Sequence, residues 1–376
     1  MNFPIRAHTL LLCVGGSRAY GLHTERSDVD VKGVAVPPAP VLFGFLHRFE
    51  QAEGPAAVDP FADTLNEEER AAVAREKLEG VIYELRKFMS LAADNNPNIL
   101  DVLFCRDAEV RHITPVGERL REAAPRFLSM AARHTFSGYA LSQLKRIETH
   151  RRWLIDPPTV EPARADFGLP PRTLIPSDQL AAAQDAIRKK VDSWELDFGE
   201  MPDASKLYVR EQIENMLVER HIYSESRFAA AARSIGYEEN FIDLLDRERH
   251  YKAARNNWDQ FHTWQRSRNP ARAALEAQHG YDTKHAMHLL RLLRMGREIL
   301  ETGTVHVWRG DRDRDELLAV RAGALPYDQL IEQARADEAR LTALYAAKNS
   351  PLPRVADREG LNTLCIELIE AALASA

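Results

Sequence analysis

The sequence predicts an α+β protein, with an N-terminal α/β core followed by a mainly α-helical C-terminal region. An apolar run at residues 10–14 (LLLCV) breaks into Gly15-Gly16-Ser17, as a strand entering a tight turn does. Asp28 and Asp30, set among Val29, Val31 and Val34, follow eleven residues after the serine and read as a second strand. From Phe136 onward the apolar spacing turns helical, with Tyr139, Leu141, Leu144 and Ile147 in one segment and Met287, Leu289, Leu290, Leu292 and Leu293 in another. At 376 residues the chain can hold two domains. The expected division is 1–130 for the core and 131–376 for the helical domain.

In chain order, residues 8–36 suggest strand, turn, short helix and the aspartate strand, which Pro37, Pro38 and Pro40 end because proline cannot donate to a ladder. Residues 50–70 are acidic and proline-containing, and read as a mobile surface loop. Residues 80–84 suggest a strand feeding an amphipathic helix through Arg86, Lys87, Phe88 and Leu91, broken at Asn95-Asn96-Pro97-Asn98. Residues 99–104 resume an apolar segment, and 156–176 form a proline-rich linker, an ordered crossover or a substrate-facing loop. Residues 302–308 suggest a small strand and 311–315 an exposed charged turn.

Composition is that of a globular protein, 45% hydrophobic and 28% charged. A net charge of −6 excludes a general basic coat for nucleic acid while leaving room for a local basic groove. Cys13, Cys105 and Cys365 lack metal-ligand spacing and sit in apolar surroundings, so they read as buried reduced thiols of a cytoplasmic protein. No apolar run approaches membrane-spanning length, and a membrane partner is not expected. There is no internal repeat.

The chemistry concentrates in residues 10–34. On a strand alternate side chains share a face, which puts Asp28 and Asp30 on one side, about 6.5 Å apart along the chain at about 3.3 Å per residue. Paired carboxylates repel unless a cation lies between them, and hard oxygen ligands suit Mg²⁺ or Mn²⁺. Gly15, Gly16 and Ser17 supply backbone that can approach a phosphate closely and a hydroxyl to bond it. A solvated acidic hairpin after a glycine turn is the plainer reading, and it does not account for the spacing.

This arrangement resembles the DNA polymerase β-type nucleotidyltransferase superfamily, whose motif is Gly-Ser, roughly ten residues, then Asp-x-Asp. More narrowly, the chain looks like the bacterial and phage family of predicted nucleotidyltransferases linked to RNA-repair pathways. The resemblance continues through YELRKFMSLAADNNPNILDVLF (83–104) and RNPARAALEAQHGYDTKHAMHLLRLLRMGREILETG (268–303). It implies a mixed sheet in the core. It also implies transfer of a nucleoside monophosphate from a nucleoside triphosphate (NTP), with two Mg²⁺ or Mn²⁺ ions and release of pyrophosphate. An RNA end is the favoured acceptor, a protein or small molecule is the alternative, and a non-catalytic nucleotide-binding protein is the reading of another class.

The family has a third carboxylate on a neighbouring strand. An aspartate usually stands four residues before the tyrosine matched by Tyr83, which points to Glu79; Glu84 and Asp101 are the alternatives, and on a regular strand 79 and 84 face opposite ways. The resemblance thus gives Asp28, Asp30 and Glu79 as catalytic and metal-binding residues, with Gly15, Gly16, Ser17 and Arg18 on the triphosphate. His23 and Arg26 lie in the intervening loop and are weaker candidates. Lys145, Arg146 and His150 form a basic patch on a helix, where the superfamily often lends a cation to the phosphates. Lys284, His288 and Arg291 form a stripe at i, i+4 and i+7, with His285 beside it, facing away from Ala286, Leu289, Leu290 and Leu293. A solvated face paired with Glu276 or Asp282 is the bland alternative. Between 251 and 272, Tyr251, Trp258, Phe261 and Trp264 alternate with Lys252, Arg255, Arg266, Arg268 and Arg272, a pattern that suits single-stranded RNA or, at helical spacing, a core.

Overall fold

The most apolar segment of the core is also its most enclosed. Strand β1 (Thr9–Val14) is buried at every position, as a strand covered on both faces must be. It pairs antiparallel with β2 (Val29–Ala35) on one side and with the edge strand Val110–Ile113 on the other. Leu78–Glu84 lies parallel to β2, and the short strand Gln51–Glu53 runs antiparallel along its outer edge. Numbered along the chain, with β3 at Gln51–Glu53, β4 at Leu78–Glu84 and β5 at Val110–Ile113, the sheet has the order β3-β4-β2-β1-β5 and is mixed. The computed structural model describes residues 3–25, 27–74, 78–173, 175–193, 224–347 and 349–375.

Residues 50–70 are ordered, contrary to the sequence expectation of a mobile loop. They form β3, the helix Pro55–Val58, a 3₁₀ segment Asp59–Thr64 and the start of the helix Glu67–Val73. Ala57, Val58, Phe61 and Leu65 are buried and cover the sheet core around Val29, Val31 and Ile82. The sparse apolar residues, spaced among acids and prolines, hide this role in the sequence. The break at 95–98 is followed by a helix, Pro97–Leu103, capped by Asn96.

Contacts divide the chain differently from a single boundary after residue 130. Residues 1–144 group with 283–376, and 145–282 form a second unit. In the first unit, the helix Arg358–Ser375 packs on Leu85–Ala93 and Pro115–Glu122, while Thr283–Thr302 packs on Arg314–Arg321 and Tyr327–Ala347. A buried ion network ties this helical layer together. Arg309 reaches both oxygens of Glu298 at 2.7 and 2.8 Å and Asp313 at 2.7 Å, and Asp313 also accepts from Arg294 at 2.9 Å. Residues 303–308 form no strand: Val305 and Val307 are buried, but no ladder partner lies beside them. Asp313, expected in an exposed turn, is partly buried by its two arginines.

The second unit is helical, with Ser177–Ser193, Ser224–Ser234 and Glu239–Ser267 around Ile187, Ala231, Ala232, Ile242 and Leu245. Its proline-rich linker is an ordered crossover, since Arg164 grips Glu248 with two nitrogens, one at 2.9 Å. Among the described residues no helix is long and apolar enough to cross a membrane.

Candidate active site

The parallel register of β2 and β4 sets Glu79 directly beside Asp30. β2 begins at Val29, so Asp28 sits just ahead of it while Asp30 lies on its partly buried face. Carboxylate oxygens of Asp28, Asp30 and Glu79 all lie within 4.8 Å of one another. Burial pushes the Asp30 carboxyl above its ordinary value; the Asp28 charge adds to this, Glu79 contributes less, and Lys32 and Lys284 oppose it. Three hard oxygen donors, one of them partly buried and crowded enough to be weakened as an acid, fit a divalent cation of the Mg²⁺ or Mn²⁺ type.

The glycine turn is built against these carboxylates. Gly15 N–H donates to the Asp30 carbonyl at 2.8 Å. Gly16 has φ +58, and a Cβ there would lie 2.0 Å from Asp30 Oδ2. Only glycine suits that position, through backbone conformation and through space alike. The short helix Gly16–Ala19 then presents Ser17, which is buried. The following loop is held by the C-terminal part of the same unit. Arg309 N–H donates to Tyr20 O at 3.0 Å, Arg314 to Gly21 O at 2.9 Å and Arg321 to Leu22 O at 2.6 Å. Gly21, at φ +71, leaves room for the Trp308 ring, on which Arg106 stacks at 3.5 Å.

Cations approach from two directions. Lys32 shares the β2 face of Asp30, a position that sequence reasoning missed although the same two-residue alternation reveals it. Its stem runs past Gly15, 3.4 Å from where a Cβ would be, and its ammonium donates to Asn98 Oδ1 at 3.3 Å. Among the described residues it makes no ion pair within 4 Å. From Thr283–Thr302, Lys284 acts on Asp30, and Arg291, 5% exposed, lies 3.7 Å over the Tyr20 ring. That helix is buried on nearly all sides, so its basic stripe is no solvated face. One member of the stripe needs correction: desolvation, reinforced by Arg291 and Lys284, holds the His288 imidazole well below its ordinary value, so it adds no positive charge at neutral pH. His285 pairs with Gln143 at 2.8 Å.

Other candidates are engaged elsewhere. Glu84 is buried at the end of β4, capping the next helix through Lys87 N–H and pairing with Arg86 at 3.0 Å. Asp101 is buried and accepts from the Tyr20 hydroxyl, outside the carboxylate trio. Arg18 pairs with Glu68 at 2.8 Å, and His23 lies 3.5 Å from the same carboxylate. Arg26 lies outside the described residues. In the second unit Lys145 and Arg146 are exposed, and His150 pairs with Asp282 at 3.2 Å. The aromatic segment there behaves as a core: Trp153, Phe261 and Trp264 pack on one another, and Arg268 lies 4.1 Å over Trp264. Arg268 and Arg272 are committed to Glu276 and Asp282, and Arg255 to Glu161.

A glycine-serine turn set against an Asp-x-Asp strand, with a carboxylate on the adjoining parallel strand, resembles the core of the DNA polymerase β-type nucleotidyltransferases. Residues 4–154 match the family model described as RlaP, RNA repair pathway DNA polymerase beta family, and in this region the chain is similar to that family. The match covers less than half of the chain. Comparison with curated proteins and with solved structures gave no match.

Proposed function

We propose that the protein is a metal-dependent nucleotidyltransferase that moves a nucleoside monophosphate from an NTP to an RNA end and releases pyrophosphate. The observation that carries this reading is the fit of Gly16 against Asp30, which sets the glycine turn against the carboxylates. A phosphate on the Gly15-Gly16-Ser17 backbone would lie beside Asp28, Asp30 and Glu79, the residues that would hold the ions. Mg²⁺ or Mn²⁺ bound there would lower the pKa of an attacking hydroxyl and offset charge on the triphosphate.

The chain's own residues do the rest. Ser17 and the turn amides hold the β- and γ-phosphates, and Lys32, Lys284 and Arg291 supply fixed positive charge in a partly desolvated site. Their ammonium and guanidinium groups are held by the fold before substrate arrives, so little reorganisation accompanies the reaction. The RNA acceptor follows the family description. Purified protein incubated with an NTP labelled on its α-phosphate, Mg²⁺ and a panel of RNA, protein and small-molecule acceptors tests it. Label on RNA is the expected result. Label on protein or a small molecule would reassign the acceptor, and no transfer to any would leave a nucleotide-binding protein.

A further inference from the structure

The loop after the phosphate-binding turn collects positive charge for which the proposed reaction, as described so far, has no use. Arg18, Arg314 and Arg321 all act electrostatically on His23, opposed by Glu68. The basic groups come from separate parts of the first unit. Arg18 follows Ser17, His23 lies within the loop, and Arg314 and Arg321 bracket the helix Arg314–Arg321. Arg314 and Arg321 fix the loop through Gly21 O and Leu22 O. Arg314 also touches Asp315 at 3.2 Å, a side chain that is 96% exposed.

Arg18 is the informative member. It is 8% exposed, and its Nε has no hydrogen-bond partner. His23 Nδ1 is likewise buried without one. Burying a guanidinium with an unused donor costs free energy that an arriving anion would recover. The anion now in place is Glu68, whose carboxylate accepts from Arg18 Nη1 at 2.8 Å and lies 3.5 Å from His23 Nε2. Glu68 is 67% exposed, so it enters from the solvent side and can leave without breaking a core. The helix presenting it, Glu67–Val73, is itself anchored by the Asn66–Glu69 capping box and by Glu69 on Arg111 at 2.8 Å.

We propose that Arg18, His23, Arg314 and Arg321 form a seat for a terminal phosphate group, and that Glu68 fills this seat until such a group displaces it. A carboxylate and a phosphate offer the same guanidinium geometry, and the phosphate brings more charge and more acceptors. The phosphate has two chemical sources, the end of the triphosphate or a phosphorylated RNA terminus. The inference deepens the nucleotidyltransferase reading, because the seat adjoins Ser17, but its test needs neither metal nor turnover.

Calorimetric titrations of the full chain in chelator, with inorganic phosphate, inorganic triphosphate and RNA oligonucleotides bearing 5′-phosphate or 5′-hydroxyl, provide that test. Glu68→Gln should tighten phosphate-bearing ligands by about fivefold, the upper range for releasing a partly exposed ion pair. Glu67→Gln removes the same charge one residue away and should change affinity by less than about twofold, because exposed charges are screened. A gain confined to inorganic triphosphate identifies the nucleotide as the source, and one confined to 5′-phosphorylated RNA identifies the acceptor. Equal affinities for wild type and Glu68→Gln, or equal gains for the two variants, would overturn the seat. Unchanged melting of both variants confirms that the fold is intact, and loss of transfer in Asp30→Asn with the Glu68→Gln gain retained separates this inference from the catalytic reading.

Discussion

In the proposed site, Gly16 and Lys32 are the residues that join the turn to the carboxylates. A methyl group at 16 would strike Asp30 Oδ2 and hold a backbone at φ +58 that side chains disfavour. Gly16→Ala should therefore displace Asp30 and lower turnover by roughly 10²-fold, as misplacement on this scale does, with stability falling far less. Turnover and denaturation measured together check this, and wild-type turnover would contradict it. Lys32→Met keeps the stem beside Gly15 and removes the ammonium. Turnover should fall roughly 10²–10³-fold, as for a preorganised charge, and an unchanged rate would make Lys32 structural. At this scale the two-residue period of a strand is legible at Asp30 and Lys32, whereas Glu79 rests on the family resemblance, since strand period alone does not choose between Glu79 and Glu84. Glu68 on Arg18 was not legible, because a contact across fifty residues leaves no local pattern.

Among the elements, the helix Thr283–Thr302 shows what periodicity can and cannot say. Lys284, His288 and Arg291 do share a face, but the opposite expectation, of one wet side and one dry, fails because helices pack around it. Periodicity finds a stripe and cannot tell a solvated stripe from one facing an enclosed site. Residues 50–70 failed in the other direction, since a few buried side chains among acids are enough to order a segment. The helix Ala132–Ile155 carries a testable ionisation. Burial lowers the His134 imidazole to about 4, assisted by Arg133, and its ring stacks edge-on against Tyr345 at 4.9 Å. Unfolding returns it to an ordinary value near 6.5, so the unfolded chain binds more protons as pH falls. The stabilisation is complete above about 6.5 and is lost as pH falls towards 4. Denaturant unfolding should show wild type losing about 2 kcal/mol more than His134→Gln between pH 7 and pH 5. Parallel losses in both would remove His134 from the account.

At the scale of the whole molecule, the N-terminal sheet region forms one unit with the C-terminal part of the chain. The matched region, residues 4–154, contains the sheet but lacks the helix Arg358–Ser375 that packs on Leu85–Ala93, the helix Thr283–Thr302 whose Arg291 lies over Tyr20, and the loop supports Arg309, Arg314 and Arg321. A fragment ending at residue 154 should lose cooperative unfolding and amide protection in Leu85–Ala93, measured by hydrogen exchange; native-like protection would show the core to be autonomous. Helix content and the α+β order were readable from hydrophobic period, whereas the joining of residues 283–376 to the N-terminal sheet was not, because pairing between chain ends follows from packing rather than local pattern. The claim at the centre is that Asp28, Asp30 and Glu79 hold the ion for nucleotide transfer. Comparing wild type with Asp30→Asn, by Mn²⁺ titration and by transfer of an α-phosphate label from NTP to RNA, tests it most directly. Asp30→Asn should remain folded, bind Mn²⁺ weakly and transfer no label; undiminished transfer by that variant would contradict the account.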